Sequence, residues 1–212
     1  MRDVRCGGAS NELARHPVNE EWLGFSRGRR WRASAGDTAS ALAIEILRPM
    51  MPKLQSDRDV QLAVNAADAA LFVAMQLRPD LNGMGTTIAG VVLKQDGAIA
   101  FNAGDSRVYA FEQGELHQVS TDDTTIGGEL LQCLGGYQEP SPMFVHSRWV
   151  GAHSTLIICS DGLTAVVSEA TIVKTLLRGV DDPAAALVDA AIAAGAPDNV
   201  TVAVIMPQRG SS

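Results

Sequence analysis

The spacing of hydrophobic residues predicts two helices in the first half of the chain. Residues 57–77 place apolar side chains three and four positions apart, which is the period of an amphipathic helix. A shorter apolar run, 41–47, predicts a helix before it, and Pro49 and Pro52 close that helix. The chain therefore enters its strand-rich part after two helices.

Short runs rich in β-branched residues, separated by turn residues, follow these helices. The run 86–93 predicts a strand, and Gln95-Asp96-Gly97 predicts the hairpin turn to the next one. The remaining predicted elements are strands over 98–102, 107–111, 115–119, 143–150, 155–159 and 200–206, and helices over 168–178 and 184–194. Strands grouped in the middle with helices outside them predict an α+β layered fold.

The first 35 residues differ from the rest because they show no apolar period and are rich in arginine. Regular patterning begins only at Gly36. We therefore predict an aberrant or disordered segment over 1–35, one domain over 36–207 and a flexible tail over 208–212.

Composition limits the function classes. A chain of 212 residues with 46% hydrophobic content is long enough for one domain with a sizeable core. Its net charge of -7, without a basic patch, argues against nucleic-acid binding. Three irregularly spaced cysteines argue against a disulfide framework. The sequence contains no run of 18 apolar residues, so it predicts no membrane span. Its N-terminus also lacks the apolar core of a secretory signal. We expect a cytoplasmic protein that binds no membrane.

Three aspartates at strand ends or turns are the candidate chemical groups. Asp105 follows one apolar strand, Asp161 follows another, and Asp198 precedes the last. A single aspartate in such a place is more often a turn residue or a helix cap. Three in this order instead suggest a site for Mg²⁺ or Mn²⁺, because hard divalent cations bind several carboxylate oxygens.

Other phosphate chemistries do not fit the sequence. A cysteine phosphatase needs an arginine six residues after its thiolate, but Glu12, Glu139 and Ala165 stand six residues after the three cysteines. No glycine-rich loop is followed by Lys-Ser or Lys-Thr, so a P-loop is absent. The four histidines are scattered without metal-ligand spacing.

Five short motifs in order give the sequence a specific resemblance. The motifs are Gly36-Asp37-Thr38-Ala39-Ser40, Gly83-Met84-Gly85-Thr86-Thr87, Gly104-Asp105-Ser106-Arg107, Ser160-Asp161-Gly162-Leu163 and Asp198-Asn199-Val200-Thr201. Together they resemble the bacterial PPM-type (type 2C) metal-dependent protein serine/threonine phosphatases. The resemblance covers about residues 36 to 206.

This resemblance implies a four-layer αββα sandwich, with two antiparallel sheets flanked by helices. It implies a hydrolase in which two Mn²⁺ or Mg²⁺ ions activate a water that attacks phosphorus in phosphoserine or phosphothreonine. Asp161 and Asp198 match metal ligands of the family, and Asp105 matches the position that helps hold a third, weaker ion. Asn199 matches a residue that orients Asp198. The implied partners are phosphorylated proteins that a serine/threonine kinase produces, and we expect a monomer.

The family's first metal motif, Asp-Gly-x-Gly-Gly-His, is missing. Counting back from Gly36 places its bridging aspartate at position 28, where the sequence has glycine. Residues 26–33 can be encoded AGT CGC GGA CGG CGT TGG CGG GCA, with the Ser34 codon beginning with T. A one-base shift then gives Val-Ala-Asp-Gly-Val-Gly-Gly-His. We therefore interpret residues 1 to about 35 as translated out of frame.

A competing interpretation keeps this segment in frame. Arg15-His16-Pro17-Val18-Asn19-Glu20-Glu21 loosely resembles the family's Arg-x-x-x-Asn-Glu-Asp motif. However, the interval from Glu21 to position 28 is too short for the strands that should lie between. Besides an impaired phosphatase, a catalytically inactive phosphatase-like binding domain and another metallohydrolase on the same scaffold stay open.

Overall fold

The computed structural model describes residues 3–8, 22–28, 33–136 and 143–207, and before residue 38 it describes the backbone alone. Five antiparallel strands form the first sheet, in the order β1-β10-β9-β5-β6. Their bounds are β1 Asp3–Gly8, β5 Arg107–Glu112, β6 Glu115–Gln118, β9 Thr155–Cys159 and β10 Thr201–Met206.

The second sheet has the order β2-β3-β4-β8, and the short strand β7 pairs with the start of β3. Its strands are β2 Trp22–Gly28, β3 Gly85–Leu93, β4 Gly97–Ala103, β7 Leu134–Gly135 and β8 His146–Gly151. The helices are α1 Ala33–Leu47, α2 Asp57–Leu77, α3 Asp161–Thr164, α4 Glu169–Leu177 and α5 Pro183–Ala193. Both sheets are antiparallel throughout.

Three hydrophobic clusters show how the layers stack. Successive side chains of a strand point to opposite faces, so β3 supplies two of these clusters. Ile88 and Val92 pack against α1 and α2, whereas Ala89 and Val91 pack against side chains of the first sheet, such as Ile158. A third cluster packs the outer face of the first sheet against α4 and α5. The arrangement is the predicted αββα sandwich.

The second helix shows why the long apolar period was readable. Ser56 caps α2: its side chain accepts a hydrogen bond from the Asp59 N–H, and Asp59 accepts one from the Ser56 N–H. Positions from Val60 to Met75 at helical spacing are buried against the second sheet. By length and composition α2 also passes the test for a membrane-spanning helix, a test that core helices pass as well.

Most predicted elements agree with the structure to within a few residues, but the N-terminal region differs. The segment over 1–35, which we predicted to be aberrant or disordered, contributes two strands: β1 pairs with β10 along its whole length, and β2 pairs with β3. The α1 helix also begins at Ala33, before the predicted boundary at residue 36. Residues 9–21, 29–32 and the tail 208–212 lie outside the described part, so the aberrant N-terminus and flexible tail stay predictions. The short elements β7 and α3 were not predicted.

Candidate metal centre

Asp105 lies in the tight turn between β4 and β5. The preceding Gly104 has φ 111°, a conformation that favours glycine. A Cβ on Gly104 would lie 2.4 Å from Cγ2 of Thr87, so the turn sits directly against the start of β3. The Thr87 and Ser106 hydroxyls are 3.0 Å apart and form a buried hydrogen bond between the two sheets. The turn that carries Asp105 is therefore fixed from both sides.

Asp161 begins the short helix α3 immediately after β9. Its Oδ1 atom is shielded from solvent. The preceding Ser160 joins this strand end to β10: the Ser160 N–H donates to the Thr201 carbonyl at 3.0 Å, and the Thr201 N–H donates to the Ser160 hydroxyl at 3.1 Å. The end of β9 is thus anchored on the start of β10.

Asp198 lies in the loop before β10, and the backbone of this loop lies against Gly162, the residue after Asp161. A Cβ on Gly162 would lie 2.3 Å from the Asn199 carbonyl oxygen and 3.5 Å from that of Asp198, so the two backbones touch here. The backbone N–H of Asn199 donates to Asp198 Oδ1 at 2.7 Å. This bond orients the Asp198 carboxylate through the main chain of Asn199, and the predicted role of the Asn199 side chain stays a prediction.

Strand register brings the three aspartates to the same end of the first sheet, where β5 and β10 begin and β9 finishes. Cys159 in β9 pairs with Arg107 in β5 on one side and with Val202 in β10 on the other. Asp105 precedes Arg107 by two residues, Asp161 follows Cys159 by two, and Asp198 precedes Val202 by four. Because both pairings are antiparallel, the start of β5, the end of β9 and the start of β10 all lie at this end of the sheet.

Position 28 lies on the second sheet, close to the end of the sandwich that carries the three aspartates. Gly28 is the last residue of β2 and pairs with Thr86, next to the Thr87 that bonds Ser106. Glycine offers no side-chain oxygen to a cation. The alternative motif over residues 15–21 lies outside the described residues.

The donor chemistry suits a hard divalent cation, because all three candidate side chains are carboxylates. Within the described residues, however, no group of three or more His, Cys, Asp or Glu side chains is arranged to hold a metal. The ligand roles of Asp105, Asp161 and Asp198 therefore stay predictions. Asp161 and Asp198, whose loops adjoin at Gly162 and Asn199, are the residues that would hold a cation.

Sequence reasoning missed a set of polar contacts that holds the Asp105 turn. The Asn102 amide donates to the Thr121 carbonyl at 2.7 Å, and its oxygen accepts from the Thr121 N–H at 3.1 Å. Arg107 binds Asp122 through two nitrogens, Nε and Nη2, at 2.9 and 2.6 Å from Oδ2. The repeated acids of Asp122 and Asp123 were a signal, but only the fold shows their partners.

Burial and hydrogen bonding shift the pKa values of Arg107, Tyr109 and Cys159 in this region. Burial alone would lower the pKa of the Arg107 guanidinium, but its hydrogen bonds to Asp122 and Tyr109 outweigh that effect and raise it. Burial raises the pKa of Tyr109 to about 12 and that of the Cys159 thiol to about 12. Cys159 is fully buried, so at neutral pH it is a protonated core residue, not a nucleophile.

Comparison with known proteins identifies the family of this fold and site. The model of the protein phosphatase 2C family matches residues 32–195. The chain belongs to the protein phosphatase 2C family. The recognition made from five short motifs is thereby confirmed, and the matched range contains Asp105 and Asp161.

Individual relatives agree with this assignment. The serine/threonine protein phosphatase PstP of Mycobacterium tuberculosis is 32% identical over 195 residues, which cover 81% of this chain but 37% of PstP. The serine/threonine phosphatase stp of Listeria innocua is 27% identical over 201 residues and is covered to 79% of its length. The chain thus spans little more than a third of the PstP relative.

A solved structure supports the fold over 97% of the chain. The catalytic domain of PstP in complex with two manganese ions is 27% identical, with a TM-score of 0.78. The match covers 97% of both chains. The predicted two-sheet architecture is confirmed by this comparison and by the three core clusters.

Proposed function

We propose that this chain is a protein serine/threonine phosphatase domain that uses Mn²⁺ or Mg²⁺ to hydrolyse phosphoserine and phosphothreonine. One observation carries the proposal: Asp105, Asp161 and Asp198 lie at the same end of the first sheet in a member of the protein phosphatase 2C family. The two manganese ions of the PstP complex support the choice of cation. Its substrates would be phosphorylated proteins, and we expect a cytoplasmic monomer.

Bound divalent cations would supply an activated water and neutralise charge on the phosphoryl group. In this chain Asp161 and Asp198 would hold a cation, since their loops touch at Gly162 and Asn199. Asp105 would contribute to a third, weaker site. The Ser160 hydrogen bonds to Thr201 would keep the two strong-site loops in register.

We further propose that activity is impaired because position 28 lacks a carboxylate. A bridging carboxylate offsets the repulsion between two closely spaced cations, so its loss disfavours the second ion. An out-of-frame origin of residues 1 to about 35 would explain that loss, but the pairing of β1 with β10 and of β2 with β3 speaks against it. Sequencing the coding DNA for residues 20–40 tests it, because an intact frame that encodes the present residues with no compatible shifted motif would exclude a frameshift.

The experiment for the main proposal measures hydrolysis of p-nitrophenyl phosphate and of a phosphothreonine peptide against Mn²⁺ concentration. We expect very slow turnover by the present chain and a clear increase in a chain with the frame restored, including its upstream strands. The single variant Gly28→Asp should recover part of that increase. Fast Mn²⁺-dependent turnover by the unaltered chain would refute the impairment, and no turnover by the restored chain would refute the phosphatase assignment.

The glycine at position 28 also favours a second candidate, a phosphatase-like domain that binds phosphoproteins without turnover. The two candidates differ in the restored chain. A binding domain would hold a phosphopeptide with equal affinity in both chains and would hydrolyse it in neither. A phosphatase would turn it over once the carboxylate is present.

A further inference from the structure

Asp123 joins three separate parts of the chain beside the Asp105 turn. Its Oδ2 accepts hydrogen bonds from the Gly104 N–H and from the Gln132 amide, both at 2.7 Å. Its Oδ1 lies 2.8 Å from Nε2 of His146. The Asp123 side chain is only 11% exposed, so these contacts are shielded from water. Its carboxylate is therefore a hub at which the turn, the loop before β7 and the start of β8 meet.

The contact between Asp123 and Gly104 runs in both directions. The Gly104 N–H donates to the Asp123 carboxylate, and the Asp123 N–H donates to the Gly104 carbonyl at 3.0 Å. Gly104 is also held in the left-handed region against Thr87. With both backbone groups of Gly104 engaged by one residue, the direction in which the chain enters Asp105 is fixed by Asp123.

Two further residues hold the hub itself in place. Gln132 donates to the Phe144 carbonyl at 2.6 Å and accepts from the Phe144 N–H at 3.2 Å, so its amide is oriented before it reaches Asp123. The ring of Phe144 packs edge-on against that of His146, with centroids 4.9 Å apart. The donors that face the Asp123 carboxylate are therefore fixed by their own neighbours.

We propose that Asp123 is a positioning residue that tunes the affinity of the cation site to which Asp105 contributes. This inference rests on the proposed function, in which Asp105 is a metal ligand. Residues that orient a ligand from behind typically change metal affinity by about 10–100-fold when mutated. Asp123 acts on Asp105 through the backbone of Gly104 and does not touch the cation.

The test compares Mn²⁺ binding by the full chain and by its variants. Electron paramagnetic resonance measures the binding through the signal of the free Mn²⁺ ion. Asp105→Ala identifies the part of the binding that depends on Asp105. Asp123→Ala should weaken that part about tenfold. Asp123→Asn should weaken it by about threefold or less, because its one carbonyl oxygen can still accept from Gly104 and Gln132 while its amide faces His146.

Glu112→Gln is the matched control. Glu112 also accepts a side-chain hydrogen bond, from Ser154 at 3.0 Å, but it lies at the opposite end of β5 from the predicted site. Amide exchange of Gly104, measured by NMR, and thermal unfolding of each variant separate local loss of the turn from general destabilisation. Asp123→Ala should speed Gly104 exchange, whereas Glu112→Gln should change neither Gly104 exchange nor Mn²⁺ binding.

Each outcome decides the proposal. A selective loss of Asp105-dependent binding in Asp123→Ala, with rescue by Asp123→Asn, supports it. Unchanged Mn²⁺ affinity in Asp123→Ala, or an equal loss in Glu112→Gln, overturns the positioning role alone. If Asp105→Ala binds Mn²⁺ as the unaltered chain does, the ligand assignment of Asp105 fails and this proposal fails with it.

Discussion

A single residue, Gly162, sets how closely the loops of Asp161 and Asp198 can approach each other. Backbone oxygens of the neighbouring loop occupy the space in which any Cβ at this position would lie. The Asp-Gly pair in the sequence looks like an ordinary turn, and only the packed structure shows that the glycine is required by contact. The geometry of the predicted metal site therefore depends on a residue that carries no functional group.

We predict that Gly162→Ala destabilises the domain by about 1–3 kcal/mol, the usual cost of overpacking. Its Cβ would lie 2.3 Å from the Asn199 carbonyl oxygen, which cannot move without shifting the Asp198 loop. Urea unfolding measures the loss, and Mn²⁺ binding should weaken in parallel. Gly151→Ala is the control, because no atom lies within 4 Å of its added Cβ. Equal stability of both variants would contradict the prediction.

Substitution of the acids and the buried thiol should separate chemistry from packing. Asp161→Ala or Asp198→Ala is expected to abolish the turnover of the frame-restored chain, because each removes a predicted ligand. Cys159→Ser should retain most of that turnover, since the protonated thiol lies in the core. Steady-state hydrolysis in saturating Mn²⁺ makes the comparison. Complete loss of activity in a folded Cys159→Ser variant would assign the thiol a role that its burial does not suggest.

Among the single elements, α2 carries two aspartates, Asp59 and Asp68, whose carboxyl pKa values shift in opposite directions. Asp68 accepts a hydrogen bond from the Gly135 N–H at 2.7 Å, linking α2 to β7. Burial raises the pKa of the Asp68 carboxyl, and the hydrogen bond from Gly135 offsets only part of that effect. Hydrogen bonds from Gln55 and Ser56 lower the pKa of the partly exposed Asp59 carboxyl near the start of the helix.

Opposite shifts predict opposite effects of substitution on stability. A raised native pKa means that the ionised Asp68 opposes folding at neutral pH, so Asp68→Asn should raise the midpoint of thermal unfolding at pH 7. The gain should shrink as the pH falls through the native pKa, which lies above 3.8. Asp59→Asn should lower the midpoint at pH 7, with the loss shrinking below pH 3.8. Thermal scans from pH 7 to pH 3 test both, and the same sign for both variants would contradict the argument.

At the scale of the whole molecule, the N-terminal region completes both sheets. Its strands β1 and β2 cover β10 and β3, which are otherwise edges with unpaired backbone groups. Exposed edges of this kind promote association between chains. The segment that looked least regular in sequence therefore occupies two positions on which the sandwich depends.

We predict that a chain starting at Ala33 self-associates, because the edges of β10 and β3 are both opened. Size-exclusion chromatography with light scattering should show assemblies larger than those of the full chain at equal concentration. A truncated chain that stays monodisperse and equally stable would contradict this expectation. That result would instead support the prediction that residues 1–35 are foreign to the fold.

Local patterns and short motifs are enough to predict the family, the αββα layering and the limits of most central elements. Apolar spacing identifies α2 because its core positions repeat at the helical period. Strands such as β3 are identified by β-branched residues and bounding turns. Four of the five motifs place small or acidic residues at a strand end, where backbone geometry restricts the choice, whereas the motif over 36–40 lies within α1.

Tertiary structure decided the features that depend on partners distant in the chain. The strands β1 and β2 have weak local signals, and pairing with β10 and β3 defines them. The two-residue β7 exists through its bridge to β3 and its bond to Asp68. Asp123 looks like one acid among several until the fold brings Gly104, Gln132 and His146 to its carboxylate. Local sequence reports propensity and period, whereas hydrogen-bond partners far apart in the chain are fixed only by packing.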